Sequence, residues 1–195
     1  MTTNILVVGI GGQGVMTAAE ALARAALAAG LEATKTEVTG MSQRGGVVCS
    51  QVRIGERVEA SEIRPGDAQL LIAFEAAEGL RWSHYLARDG KAIVDRWRAV
   101  PPVVSSGIHE YPVDPAAEMR SRGVNAIDLD ARSVAESLGD VRLANTVMLG
   151  AAAAQLPFPP ELLRNEVLQR FGADRALRQS NASAFDAGRE TGSAR

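Results

Sequence analysis

A chain of 195 residues, 46% hydrophobic and 23% charged, is long enough to bury one substantial core and has the composition of a single soluble globular domain. A net charge of −2 offers no basic surface for nucleic acid or an acidic membrane, and no apolar stretch approaches the roughly 18 residues of a membrane span. Cys49, the one cysteine, excludes an internal disulfide and an iron–sulfur cluster ligated by the cysteines of this chain alone. With no charged and apolar leader at its start, the chain is expected in the cytoplasm. Lys35 and Lys91 are the only lysines among 21 basic residues, so lysine chemistry has two candidates and arginine is the working cation.

Taken in order, Asn4–Val8 is a continuous apolar run of strand length, the pattern of a strand buried on both faces. A glycine-bearing turn follows, then Val15–Ala29, whose small apolar residues recur at helical spacing until Gly30 stops them. Glu32–Thr39 alternates as a second strand, completing a β-α-β unit. After a loop at 40–46, Val47–Ile54 reads as a strand, with Gly55-Glu56 turning into Arg57–Ala60 as the other arm of an inserted hairpin. Gln69–Phe74 is another buried strand, Glu75–Leu86 a helix, Asp89-Gly90 a turn and Lys91–Asp95 a short strand. Pro101-Pro102 and Ser105-Ser106-Gly107 break the next stretch. Pro115–Arg122 is helical, Asn125–Leu129 the last strand, and helices follow at 130–138, 145–155, 161–171 and 173–188. The expectation is an α/β, Rossmann-like fold: one domain over residues 1–190, a mostly parallel sheet with helices on both faces and an inserted β-hairpin, and a frayed tail at 191–195.

Gly9, Gly11 and Gly14 satisfy G-x-G-x-x-G between a strand and a helix. In that setting the first glycine makes the tight turn, the second lets backbone approach a phosphate, and the third lets helix pack on strand, while the helix N-terminus offers N–H groups to an anion. The same turn also serves wherever a strand feeds a close-packed helix. Glu37 stands where a ribose-binding acid stands in a dinucleotide enzyme, or is a solvated strand end. A hydride-transferring enzyme needs a substrate site and an acid–base group as well. Neither Tyr85 nor Tyr111 has a lysine four residues on, and no length remains for a second domain.

The second glycine loop, Gly40-Met41-Ser42-Gln43-Arg44-Gly45-Gly46, sets three polar side chains between glycines. An arginine so placed can clamp a carboxylate or phosphate bidentately, or it can decorate a surface turn. Cys49 lies in a strand and reads as a buried small hydrophobe. His84 and His109 have no Cys or His at metal-ligand spacing, so no metal site is expected. Trp82 and Trp97 read as packing residues, and the Ala-rich helix from Asn145 as a buried one.

GIGGQG after the first strand and GMSQRGGVV after the second resemble the gamma-type subunit of 2-oxoacid:ferredoxin oxidoreductases, and among these the beta subunit of the indolepyruvate enzymes. Ile54-Gly55, Arg64–Ala68, Tyr111-Pro112, Asn145–Gly150, Asn181, Ala184-Phe185 and Gly188 extend the likeness over residues 4–188. Asp95 departs from it, standing where relatives often carry Asn.

The resemblance implies a division of labour. A large partner subunit binds thiamine diphosphate with Mg and carries the 4Fe–4S clusters, passing electrons to ferredoxin. The gamma-type subunit lies beside the active site and is associated with the use of coenzyme A. Here Gly9, Gly11, Gly12, Gln13, Gly14, Gly45 and Gly46 would hold cofactor anions, and Arg44, with Gln43 and Ser42, would orient substrate or cofactor at the subunit boundary. The implied reaction is oxidative decarboxylation of an arylpyruvate or other 2-oxoacid to an acyl-CoA. A free-standing nucleotide- or CoA-binding module without catalysis is the competing reading, and an independent NAD-dependent dehydrogenase a third.

Overall fold

The computed structural model describes residues 2–40, 46–99 and 110–193. Ile5 to Val8 have no polar side chain to offer solvent and become the centre of β1 (Thr2–Ile10), covered on both faces. The chain continues as α1 (Val15–Ala28), β2 (Glu32–Thr39), β3 (Val47–Gly55), β4 (Ala68–Ala73), α2 (Ala76–Trp82), β5 (Leu86–Asp95), α3 (Pro115–Ser121), β6 (Asn125–Leu129), α4 (Ala131–Ser137), α5 (Ala144–Ala152), α6 (Pro160–Gln169) and α7 (Arg175–Ser193).

These strands form one six-stranded sheet in the order β2-β3-β1-β4-β5-β6. β1, β4, β5 and β6 pair in parallel with one another, while β3 runs antiparallel to β1 and β2, with Cys49 opposite Val8 on one side and Val38 on the other. The expected α/β architecture stands: a mostly parallel sheet with helices on both faces.

The hairpin is present with different arms. β2 and β3 pair across the 40–46 connection, and Arg57–Ala60 forms no strand. Both edges of β3 are already taken, so a further arm has no ladder to join; the Val58 N–H instead donates to the Glu32 carboxylate at 2.8 Å. The insertion of β3 also separates β1 from β2, so the expected β-α-β unit has an antiparallel strand at its centre. The turn foreseen at Asp89-Gly90 is absorbed into β5 beside a register shift at Ala68 and Leu70.

Alternation along β1 sends its side chains to two cores. Ile5 and Val7 pack with Leu22, Ile72, Ile93, Met148 and Phe185 under α1 and α4–α7. Leu6 and Val8 pack with Cys49, Leu71, Val94 and Met119 under α2 and α3. α5 is buried as its composition suggests, every residue from Thr146 to Ala152 being buried. It crosses α7 at backbone contact: a Cβ on Gly188 would lie 2.0 Å from the Val147 oxygen, and one on Gly150 2.1 Å from that of Phe185. Thr146 Oγ1 donates to Asn181 Oδ1 (2.7 Å) across the same seam. The seam carries α7 through Ser193, past Gly192, where the sequence suggested a frayed tail. No helix among the described residues is long and apolar enough to cross a membrane.

α1 leaves β1 for one face of the sheet, and α2 leaves β4 for the other. The crevice between the carboxyl ends of these two parallel strands is therefore a topological switch point, the place where open α/β sheets accept ligands.

Candidate functional site

A cleft of about 620 Å³ opens at that point, within the range of small-molecule sites. The turn after β1 forms one wall, and the loop after β5, the start of α4 and the segments around Asn145 and Arg170 form the others.

The glycine turn is built by its own side chains. Gln13 folds inward: its Oε1 accepts the Ile10 N–H (2.6 Å) and its Nε2 donates to the Phe74 oxygen (2.6 Å), tying the end of β1 to the end of β4. Gly9 makes room for this, since a Cβ there would stand 2.6 Å from Gln13 Oε1. Gly11 donates its N–H to the Gly46 oxygen at 2.9 Å, so that donor is unavailable to a phosphate. Gly14 caps α1 at φ +80°, where an L side chain is strained, and a Cβ would press on Asn145 Nδ2 at 2.8 Å. The roles expected of the three glycines are thus redistributed. Gly9 accommodates Gln13, Gly11 joins the two glycine loops, and Gly14 admits Asn145.

What remains for an anion is the backbone. Gly12 and Gly14 N–H have no acceptor among the described residues, and no side chain caps the first turn of α1, which also lacks acidic residues. These groups and the helix dipole give that wall a positive potential.

Three arginines line the cleft. Arg132 lies over the Trp97 ring at 5.6 Å, and Arg142 pairs with Asp140 at 2.6 Å. Arg170 meets no carboxylate among the described residues, and burial lowers its pKa. Asp95, the last residue of β5, belongs to the same lining and is only 4% exposed. It accepts the N–H groups of Trp97 (3.2 Å) and Ala131 (3.3 Å). Burial pushes its carboxyl from the ordinary 3.8 up to about 6, with the two N–H bonds opposing the rise.

Other candidates fall elsewhere. Ser42, Gln43, Arg44 and Gly45 lie outside the described residues. Their flanks are fixed, Gly40 N–H donating to the Val47 oxygen (2.8 Å) and Gly46 oxygen accepting from Gly11. Glu37 is not at the cleft. The insertion of β3 carries it one strand too far from β1, where it pairs with Lys35 at 3.1 Å. That displacement removes the acid on which a dinucleotide reading depends. Cys49 is fully buried, and burial together with the charge of Glu78 raises its thiol to about 12. Tyr111 is structural: its hydroxyl donates to the buried Glu75 carboxylate that caps α2, and Arg98 stacks on its ring at 4.4 Å. Trp97 is a cleft residue as well as a packing residue.

Sequence reasoning did not single out Arg132, Arg142 or Arg170, and noted Asp95 only as a departure. Reading the residue at the carboxyl end of each parallel strand, and the first turn after it, would have found Asp95 and Arg132.

The fold and the cleft at its switch point define an α/β ligand-binding module whose first glycine turn lines the site. The chain belongs to the pyruvate ferredoxin/flavodoxin oxidoreductase family, whose model matches residues 4–191. It is 40% identical over 152 residues to the indolepyruvate oxidoreductase subunit IorB of Archaeoglobus fulgidus, covering 77% of this chain and 75% of that one. It is 35% identical over 190 residues to subunit IorB of Pyrococcus horikoshii, covering 95% and 93%. The crystal structure of the keto/oxoacid ferredoxin oxidoreductase gamma subunit of Geobacter sulfurreducens matches with a TM-score of 0.71 at 25% identity, over 99% of each chain. This chain is accordingly a subunit of a 2-oxoacid:ferredoxin oxidoreductase.

Proposed function

We propose that this chain is the cluster-free, thiamine-free subunit of a cytoplasmic indolepyruvate or other arylpyruvate:ferredoxin oxidoreductase, and that its cleft holds the phosphates of coenzyme A. The observation that carries the reading is the switch-point cleft, whose lining brings Gly12 and Gly14, with no acceptor for their N–H groups among the described residues, together with Arg132, Arg142 and Arg170. Two IorB relatives support the substrate class.

The residues present decide which groups belong here. An iron–sulfur cluster does not fit, because the one cysteine is sealed in the centre of the sheet. Thiamine diphosphate with Mg does not fit either, since the chain has no Gly-Asp-Gly followed by paired Asn. Both are assigned to a large partner subunit, through which electrons reach ferredoxin. Coenzyme A would bring phosphates to the N–H groups and arginines that line the cleft, and as cosubstrate it would supply the thiol that accepts the acyl group. The overall reaction is 2-oxoacid plus CoA giving acyl-CoA, CO₂, two electrons and a proton. The part of this chain is to bind and orient: the α1 N-terminus and the arginines hold phosphate, and Arg44, Gln43 and Ser42 orient anions at the subunit boundary.

The test is anaerobic co-expression with the large subunit, followed by an assay of indolepyruvate- and CoA-dependent ferredoxin reduction. The complex is expected to be brown and active, the chain alone inactive, and Arg44→Ala to lower turnover in the complex. A chain that takes no partner yet binds nucleotide tightly as a monomer would establish the free-standing nucleotide- or CoA-binding module instead.

A further inference from the structure

The cleft is not uniformly cationic. Both hydrogen bonds that Asp95 accepts, from the N–H groups of Trp97 and Ala131, end on Oδ1. Oδ2 has no partner among the described residues, yet it is not one of the polar atoms sealed from solvent. Asp95 is 4% exposed and forms part of the cleft wall, so the access left to Oδ2 is through the cleft. A nearly buried carboxylate oxygen without a donor is unfavourable, and a ligand that brings one relieves it. A phosphate oxygen that carries no proton brings only repulsion.

We propose that Asp95 determines the specificity of the cleft, its Oδ2 accepting a hydrogen bond from a hydroxyl or amino group of the ligand, so that the site takes a nucleoside phosphate and rejects inorganic polyphosphate. This rests on the reading of the cleft as a phosphate site. The two halves of the recognition are then separate. The α1 N-terminus and the arginines attract any anion, and Asp95 sorts anions by whether a donor accompanies the phosphate. A site that demands a particular donor discriminates strongly, because the wrong ligand leaves its polar atom unpaired.

The sorting is pH-dependent. Asp130, which caps α4, and Arg132 in its first turn act on Asp95 by charge, the first raising and the second lowering its pKa, and hydrogen bonds from Ser133 hold the Asp130 carboxyl below its ordinary value. Arg142 and Arg170 stand on the other walls and stay protonated throughout. Asp95 is therefore the cleft-lining group whose charge changes, near pH 6.

The experiment measures equilibrium binding of ADP and of inorganic pyrophosphate to the full chain, for the unaltered protein and for Asp95→Asn. The amide keeps Oδ1 for Trp97 and Ala131 and turns the free side from acceptor to donor. ADP is expected to weaken at least about tenfold and pyrophosphate to tighten, a pair of opposite changes that a damaged fold does not produce. The ratio of unaltered protein to variant is expected to approach one below about pH 6 for both probes, ligand ionisation cancelling between the two proteins. Parallel weakening of both probes, or no change in either, overturns the role of Asp95 while leaving the phosphate cleft intact. Failure of the unaltered chain to bind either probe overturns the cleft reading, and the proposal with it.

Discussion

The carboxamide of Asn145 donates to two successive carbonyl oxygens, those of Gln13 (2.9 Å) and Gly14 (3.1 Å), fastening the start of α5 to the turn that opens α1. The contact joins residues 131 positions apart and holds the left-handed Gly14 in place. Asn145→Ala removes two hydrogen bonds worth about 0.5–1.5 kcal/mol each and is expected to lower the melting temperature by several degrees. Asn145→Asp is expected to do more harm, because it sets a carboxylate against two carbonyl oxygens. Thermal melts of the two variants check the order. An Asp variant as stable as the original would show that the amide does not hold the loop.

Asp95 makes a second prediction, about stability. Its carboxyl titrates at about 6 in the folded chain against an ordinary 3.8, because burial disfavours the ionised form. The folded state therefore holds more protons than the unfolded state between these values, and the contribution of this group to stability falls as pH rises from about 4 to about 6. Above that window the penalty is on the order of 3 kcal/mol at most. Asp95→Asn keeps both N–H bonds and removes the penalty. Its melting temperature should exceed that of the unaltered chain at pH 8, with the gain shrinking toward pH 4. An equal difference at both pH values would mean that the buried carboxylate is compensated by the fold.

The elements legible in the sequence were those with local signals. β2 has the boundaries its alternation suggests, β6 those expected of the last strand, and β1 follows from a run with no polar face. Pairing was not legible. Nothing in Arg57–Ala60 tells that both edges of β3 are occupied, and nothing in Glu37 tells that a strand lies between it and β1. The candidate site divides the same way. The glycine motif located the cleft, but what each glycine does depends on Phe74, Gly46 and Asn145, partners far away in sequence. Arg142 and Arg170 come to that cleft through helix packing, which no spacing rule encodes.

Cys49 should be chemically silent in the folded chain. Burial, with the charge of Glu78, raises its thiol from 9.0 to about 12, so at pH 8 only about one molecule in ten thousand carries the thiolate. The side chain is also 0% exposed, between the ladders to β1 and β2. A disulfide reagent is expected to label nothing in the native protein over an hour and one thiol per chain in denaturant. Native labelling at the rate of a free thiol would mean that β3 opens locally.

The seam between α5 and α7 sets two effects against each other at Gly188. Intrinsic helix propensity favours alanine there by about 1 kcal/mol. The added methyl would lie 2.0 Å from the Val147 oxygen and 2.9 Å from its carbonyl carbon, both backbone atoms that move only if the helices part. Separating them opens contacts around Val147, Met148 and Phe185 and stretches the bond between Thr146 and Asn181. Overpacking of this kind costs about 1–3 kcal/mol even where side chains can adjust, and here the obstacle is main chain. The steric term wins: Gly188→Ala should destabilise by about 2 kcal/mol or more in urea unfolding, and Gly150→Ala, which meets the Phe185 oxygen at 2.1 Å, should do the same. Because Arg170, Phe171 and Asn181 reach the cleft from this layer, both variants should also weaken ADP binding. A Gly188→Ala variant more stable than the parent would show that the two backbones do not touch.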